Sequence, residues 1–268
     1  EMSADPRLGQ VKLDWRVDWP ARWHILGVVV EGFGKEHATK GGSYDTGAAI
    51  QREIFGTEPP IPVPFNPINL KGDNQKMSSS LGNLVSISDA LEIIPPDVLR
   101  YFVFKSLPQK VLDFDPGLGM YNLIDEFAAT ELAVQTGLSA EFAAAWKLSV
   151  LDSESATVSS VPYSHLVAVY QSARRDVDRA MGILTKTHPE EARDQASLLE
   201  REFGYIGRWL DSRYAPESVK FSVKETYAEL DLTISSEQTD YLNALITALP
   251  DSWEGEDLQS AIFQTAKD

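Results

Sequence analysis

Apolar positions follow two regimes along the chain. In the first third they form short runs. Ile25-Leu26-Gly27-Val28-Val29-Val30 is nearly continuous, which predicts a parallel strand covered on both faces. Ile68-Asn69-Leu70 predicts a second short strand. Between them, Asp45 or Thr46 can cap a helix that runs to about Phe55 and stops at Gly56, with Ile50 and Ile54 sharing its buried face. Pro59, Pro60, Pro62, Pro64 and Pro67 then exclude a helix and predict an extended connection. After residue 86 the spacing turns helical. Ser88 can cap a helix from Asp89 that breaks at Pro95-Pro96, and Pro96 can open the next, where Val98, Leu99, Phe102 and Val103 share a face. Residues 123–150 are alanine-rich and helix-prone. Further helices are expected at about 162–186, 189–212 and 236–249, with Ser159-Ser160-Val161-Pro162 marking a boundary before a helical domain.

Composition narrows the class. A length of 268 residues allows one large domain or two modest ones, and 43% hydrophobic residues argues against disorder. No run of about 18 apolar residues is present, so no membrane association is expected. No signal peptide stands at the start, and a chain opening on Glu1 is expected to lack its start codon. The absence of cysteine excludes disulfides and thiolate metal sites and fits a cytoplasmic location. The net charge of -16 sits mainly in residues 128–268 and reads as a solubilising surface, with any nucleic-acid contact left to local patches.

The densest candidate chemistry is Lys76-Met77-Ser78-Ser79-Ser80-Leu81-Gly82-Asn83. Hydroxyls and backbone N–H groups are phosphate ligands, a lysine adds a mobile positive charge, and Gly82 permits positive φ. A loop of this kind can close over a triphosphate, although its composition alone also suits a plain surface loop.

The order of those residues resembles the KMSKS signature of class I aminoacyl-tRNA synthetases, and the run Lys76 to Asn83 is similar to the version in class I lysyl-tRNA synthetases. Trp15-Arg16-Val17-Asp18-Trp19-Pro20-Ala21-Arg22-Trp23 and the segment Gly34 to Gly47 also resemble that family, which usually has Asp where this chain has Glu36. So do Pro95 to Phe102, Asp113-Phe114-Asp115, Tyr163 to Val167 and Tyr214-Ala215-Pro216-Glu217. The resemblance covers nearly the whole chain. His24-Ile25-Leu26-Gly27 superficially resembles the family's other signature, HIGH, but opens the expected strand and lies too close to the serine loop; the family's own copy sits far upstream.

The resemblance implies a fold that is α/β then all-α. Residues 1–86 would be the second half of a Rossmann-type catalytic domain, 87–158 a connecting helical region and 159–268 a helical anticodon-binding-type domain. It implies that ATP, with Mg2+, and L-lysine form lysyl-adenylate, and that the lysyl group passes to the 3′ end of tRNA(Lys). It places Lys76, Met77, Ser78, Ser79 and Ser80 at the catalytic loop, with Gly82 and Asn83 at the nucleotide. Trp15, Asp18, His37 and Asp45 are the candidates for the lysine substrate. Each has a structural alternative: core packing for Trp15, a hydrogen-bonded structural role for His37, pairing with Arg16 or Arg22 for Asp18, and a helix cap for Asp45. Lys35 and Lys40 read as solvated, with tRNA or phosphate contact as the alternative, and His165 and His188 read as structural or exposed.

The chain departs from the family pattern. A second lysine within or just after the serine run is replaced by Ser79 and Leu81, and Phe65 stands where a tyrosine is expected. Family members run to about twice this length, so the HIGH half would be missing, and this chain by itself is expected not to make lysyl-adenylate. Residues 261–268 resemble the approach to a further helical segment. The competing classes are a catalytically degenerate, synthetase-derived module that binds RNA or a partner, and a nucleotidyltransferase with a non-tRNA acceptor, against which the long helical tail argues.

Overall fold

The structure is a computed structural model that describes residue 7, residues 12–71, 84–138, 141–151, 156–224 and 234–249, and residues 262 and 265. The serine loop 76–83 and most of 261–268 lie outside the described residues. The chain divides into two units, Glu1–Ser222 and Val223–Asp268. The first is mostly helical, with four short strands paired in parallel. No described helix is long and apolar enough to cross a membrane.

The unit opens with α1, Trp15–Leu26, started by the Asp14 carboxylate accepting the Arg16 N–H and ended at Gly27 with φ 62°. It is followed by β1 (Val30–Gly34), α2 (Ser43–Glu53) and β2 (Ile61–Phe65). β1 and β2 pair in parallel, with Val30 opposite Ile61 and Gly34 opposite Phe65. The expected strand over 25–30 is therefore the last two residues of a helix, a left-handed glycine, a two-residue connection at Val28-Val29 and the first residue of β1. A short apolar run has no period to separate these outcomes. Nor is the run covered: Ile25, Leu26 and Val29 are each more than 70% exposed. His24, expected to begin a buried strand, is an exposed residue of α1 whose ring stacks on Phe55 at 4.6 Å. The helix expected to be capped by Asp45 or Thr46 is capped by Gly42 instead, three or four residues earlier, and ends at Glu53, with Ile54 exposed just beyond it.

The proline-rich connection is extended, as expected, and its middle pairs as β2. Proline is tolerated there because a two-stranded sheet leaves every strand at an edge. Asn66 ties the two strand pairs together: its N–H donates to Pro108 O at 2.9 Å and its side chain donates to Gln109 O. β3 (Ile68–Leu70) pairs in parallel with β4 (Leu112–Phe114). Between them lie α3 (Ile87–Ile93) and α4 (Pro96–Phe104). The cap of α3 is Ser86, not Ser88, in a capping box with Asp89. Pro96 opens α4 as expected.

The remaining helices of the first unit are α5 (Gly119–Gln135), α6 (Ala143–Ser149), α7 (Tyr163–Ser172), α8 (Val177–Thr187), α9 (Pro189–Asp194) and α10 (Ala196–Asp211). The helix expected over 162–186 is two, broken at Arg174 and Arg175, which take φ 59° and 61°. Asp176 restarts the chain by accepting the Arg179 N–H. The helix expected over 189–212 breaks likewise at Gln195. One hydrophobic cluster runs from Val85 through Phe127, Leu166 and Phe203 to Ala215. Val158 and Val161, on either side of Ser159-Ser160, are buried within it. In the second unit α11, Ser236–Ala248, starts at a Ser235–Gln238 capping box, where a helix was expected.

Two buried carboxylates hold the segment before α7. Glu131 accepts the Thr157 N–H at 2.9 Å and the Trp146 indole N–H at 3.3 Å; Glu202 accepts the Ser159 N–H at 3.1 Å. Burial raises the Glu202 carboxyl to about 7, against the lowering effect of the Ser159 hydrogen bonds and Arg201. A raised carboxyl binds its proton more tightly in the folded state. Its stabilising contribution is therefore complete below the unfolded value near 4.5 and is lost as pH rises through about 7. The full effect is at most roughly 3 kcal/mol. Glu202→Gln is expected to flatten the fall in melting temperature between about pH 5 and pH 8; an unchanged slope contradicts this assignment.

Candidate functional site

Trp15, Trp19 and Trp23 lie four residues apart, so α1 presents them on one face. Their exposures fall along the helix from 47% to 8% to 1%, from the surface into a small core. Trp15 stacks on Trp19 with ring centroids 4.8 Å apart and planes 20° from parallel. Trp19 meets Phe33 of β1 edge-on at 5.5 Å. Trp23 is fixed by its indole N–H, which donates to Glu31 at 2.9 Å, and its ring lies 5.7 Å from Tyr44. Tyr44 stacks on Phe33 at 5.1 Å and donates to Pro60 O at 2.7 Å, tying α2 to β2.

This packing puts the exposed end of the ladder beside the carboxyl end of β1. The strand runs directly into a 3-10 turn, Lys35–Ala38. His37 on that turn lies 5.6 Å from the Trp15 ring and 5.9 Å from Trp19. The result is a partly open aromatic corner with one imidazole. Two of the sequence candidates, Trp15 and His37, are thus brought together. Trp19 completes the corner; sequence reasoning passed over it, although its i, i+4 spacing from Trp15 was the available signal.

Asp18 and Asp45 have other engagements. The Asp18 carboxylate, on the turn of α1 after Trp15, pairs with Arg22 at 2.7 Å on an exposed face. Asp45 is not the cap of α2. Its carboxylate accepts the Gly41 N–H at 2.8 Å and so braces the turn between the 3-10 turn and α2. That turn requires both glycines: Gly41 has φ 73°, and a Cβ on Gly42 would fall 2.6 Å from Thr39 O. Lys35 and Lys40 are exposed. Phe65 ends β2 opposite Gly34, 44% exposed, at the same end of the sheet as His37. Lys76, Met77, Ser78, Ser79, Ser80, Gly82 and Asn83 lie outside the described residues. Among the described residues no group of three or more His, Asp or Glu side chains converges as a metal site.

The aromatic corner and the polar turn after β1 thus lie together at the carboxyl end of a parallel strand pair. Comparison with known proteins fixes the class. The family described as tRNA synthetases class I (K) matches residues 1–152, more than half of the chain, and the chain belongs to it. The lysine–tRNA ligase of Methanosarcina barkeri (strain Fusaro) is 40% identical over 268 residues, covering 98% of this chain and 49% of that protein. The enzyme of Archaeoglobus fulgidus is 36% identical, covering 97% of this chain and 50% of that protein. The enzyme of Pyrococcus horikoshii is 32% identical, covering 98% and 52%. The chain spans about half the length of the curated relatives it matches.

The ladder depends on one small residue. A Cβ on Gly47 would lie 2.9 Å from two atoms of the Trp23 ring, which is held on its other side by the core. Replacing a helical glycine by alanine gains up to about 1 kcal/mol of propensity. Overpacking against a rigid ring costs typically about 1–3 kcal/mol. Gly47→Ala is therefore expected to lower stability on balance, and Gly47→Val more so, by denaturant midpoint; a stabilised Gly47→Ala protein would show that Trp23 is free to move.

Proposed function

We propose that this chain is part of a lysine–tRNA ligase and supplies the lysine-reading corner and the serine loop of its active site. In the complete protein, a carboxylate oxygen of L-lysine attacks the α-phosphorus of ATP and pyrophosphate leaves. A ribose hydroxyl at the 3′ end of tRNA(Lys) then attacks the acyl carbon and AMP leaves. The observation that carries the reading is the aromatic corner of Trp15, Trp19 and His37 at the carboxyl end of β1, in a chain of the class I (K) family.

The chemistry of the substrate suits this corner. An ammonium over an exposed indole gains on the order of 0.5–2 kcal/mol. Its three N–H donors also need acceptors. The Asp18 carboxylate, one turn along α1 and partly exposed, can exchange Arg22 for the substrate amine. Asp45 acts through Gly41, holding the turn that shapes the pocket rim. In the serine loop, Lys76 and the hydroxyls of Ser78, Ser79 and Ser80 would stabilise the charge that builds on pyrophosphate. One preorganised group of this type contributes about 3 kcal/mol to the transition state. Met77 would space Lys76 from the hydroxyls, and Gly82 and Asn83 would bring backbone to the nucleotide. Mg2+ would enter with the triphosphate, whose oxygens supply most of its ligands.

Residues 1–86 would then be the second half of a Rossmann-type domain, 87–158 a connecting region, and 159–268 an anticodon-binding-type domain, in a cytoplasmic enzyme. Leu81 favours a second reading, a degenerate module that binds RNA without catalysis, because it removes a positive charge expected beside the phosphates. Lysine-dependent exchange of pyrophosphate into ATP, measured with tRNA(Lys) present, separates the two. A complete protein of the relatives' length is expected to exchange and the 268-residue chain alone is not. Exchange at a normal rate by the short chain contradicts the division of the site, and none by the complete protein favours the binding module.

A further inference from the structure

The segment Tyr163 to Val167 has no part in the aromatic corner, and it carries a histidine that packs on another histidine. His165 lies in the first turn of α7, where its N–H donates to Pro162 O at 2.9 Å. His188 is the residue between α8 and α9. Its N–H donates to Leu184 O at 2.6 Å, closing α8, and its carbonyl accepts the Ala192 N–H at 2.9 Å, opening α9. The two rings meet with centroids 4.7 Å apart and planes 49° from parallel. His188 Nδ1 lies 3.1 Å from Thr187 Oγ1, whereas His165 Nε2 is buried and has no hydrogen-bond partner among the described residues. The far end of α9 is tied to the same stretch of chain. Gln195 accepts the Ser160 N–H at 2.9 Å and donates from Nε2 to Ser160 Oγ at 3.2 Å. α9 is therefore a six-residue helix clasped at both ends to the start of α7, with Ala192 set in the core between the clasps. A helix of that length depends on such tertiary contacts to persist.

We propose that the contact between His165 and His188 is an acid-sensitive latch: protonation of this pair parts α9 from the start of α7 while the rest of the helical core stays closed. Two neutral imidazoles pack as aromatic rings. A proton on either one turns that contact into a charge placed against a second titratable ring, with no counter-ion to receive it. The charged groups on the surrounding elements do not supply one. Lys186 ends α8 with the same sign, and Glu190 and Glu191 in the first turn of α9 form no ion pair with either imidazole. On the other helices packed against α7, Asp125 of α5 accepts the Tyr163 N–H at 2.8 Å and Glu202 of α10 accepts the Ser159 N–H. Burial, and after it the neighbouring His188, hold the His165 imidazole below the usual histidine range. A base lowered in this way binds its proton less well in the folded state. The cost is absent above the unfolded value near 6.5 and grows as pH falls below it. The sign is opposite to that of Glu202, whose contribution is lost as pH rises. The latch fails before the core does because α9 has one buried side chain, Ala192, whereas α10 buries six.

The test is amide hydrogen exchange of the 268-residue chain at about pH 7.5 and about pH 5.5, expressed as protection factors so that the intrinsic pH dependence of exchange is removed. Protection of the peptide covering residues 188–195 is expected to fall roughly tenfold at the lower pH, the effect of a shift of about one pK unit, while that of residues 196–208 holds. His165→Gln keeps a planar polar side chain without the charge, and is expected to abolish the fall. His188→Gln leaves the burial of His165 in place and is expected to reduce it. Glu202→Gln is expected to leave it unchanged. The chain has four histidines, so the imidazole resonances of the wild-type protein can be assigned by substitution and titrated directly. His165 is expected to titrate below 6.5, whether or not the His165→Gln protein folds. A flat wild-type protection factor at 188–195, an undiminished fall in His165→Gln, or an ordinary His165 titration overturns the proposal. A fall shared equally by 196–208 means that acid loosens the whole core, and overturns it as well.

Discussion

The contact of the Trp23 ring with Gly47 is the constraint on which the candidate site depends. It lets α1 lie against α2 closely enough for three indoles to run from the interior to the surface along one helix face. Phe33 and Tyr44 then fix that face to β1 and, through Pro60, to β2. With the buried end of the ladder set, the exposed Trp15 has little freedom, because its ring is stacked on Trp19. A binding surface made of large rigid side chains loses little conformational entropy when a substrate arrives. The preorganisation of the corner is thus a consequence of core packing one and two turns away.

The helical part uses charge in a different way. Its buried acids terminate backbone segments: Glu131 and Glu202 accept N–H groups of residues 157–159, where a plain loop would leave them unpaired. Several arginines do the complementary task for carbonyls. Arg100 donates to Leu148 O and Ser149 O, Arg201 to Thr157 O, Arg208 to Glu92 O and Arg213 to Leu84 O. These side chains join segments distant in sequence.

Where a proline or a sustained period carries the signal, the element was legible in the sequence: Pro96 opens α4, and α11 falls where its periodicity places it, whereas the caps of α2 and α3 are Gly42 and Ser86 and not the expected Asp45 or Thr46 and Ser88. The run Ile25 to Val30 misled because its glycine is a helix terminus and its apolar side chains lie at the surface. The breaks at Arg174-Arg175 and at Gln195 carry no glycine or proline, and the packing of α7, α8, α9 and α10 into one core overrides a continuous apolar period there. Asp176 was the one local sign of a new helix. At the site, Trp15 and His37 could be nominated from motif context, but the stacking that makes Trp19 part of the corner appears only when α1 is a helix. Asp18 and Asp45 show the opposite limit, since their carboxylates have alternative partners four residues away that sequence reading cannot rank.

On the proposed function, the open Trp15 face, held by the ladder beneath it, would read the lysine ammonium. The direct measurement is the KM for lysine in pyrophosphate exchange by a complete protein carrying Trp15→Phe or Trp15→Leu, compared with the KM for ATP. A cation–π contact predicts a small rise for phenylalanine and roughly a tenfold rise for leucine, confined to lysine. Equal lysine KM values for leucine and tryptophan, or a loss shared with ATP and accompanied by a lower melting temperature, would mean that Trp15 serves packing alone.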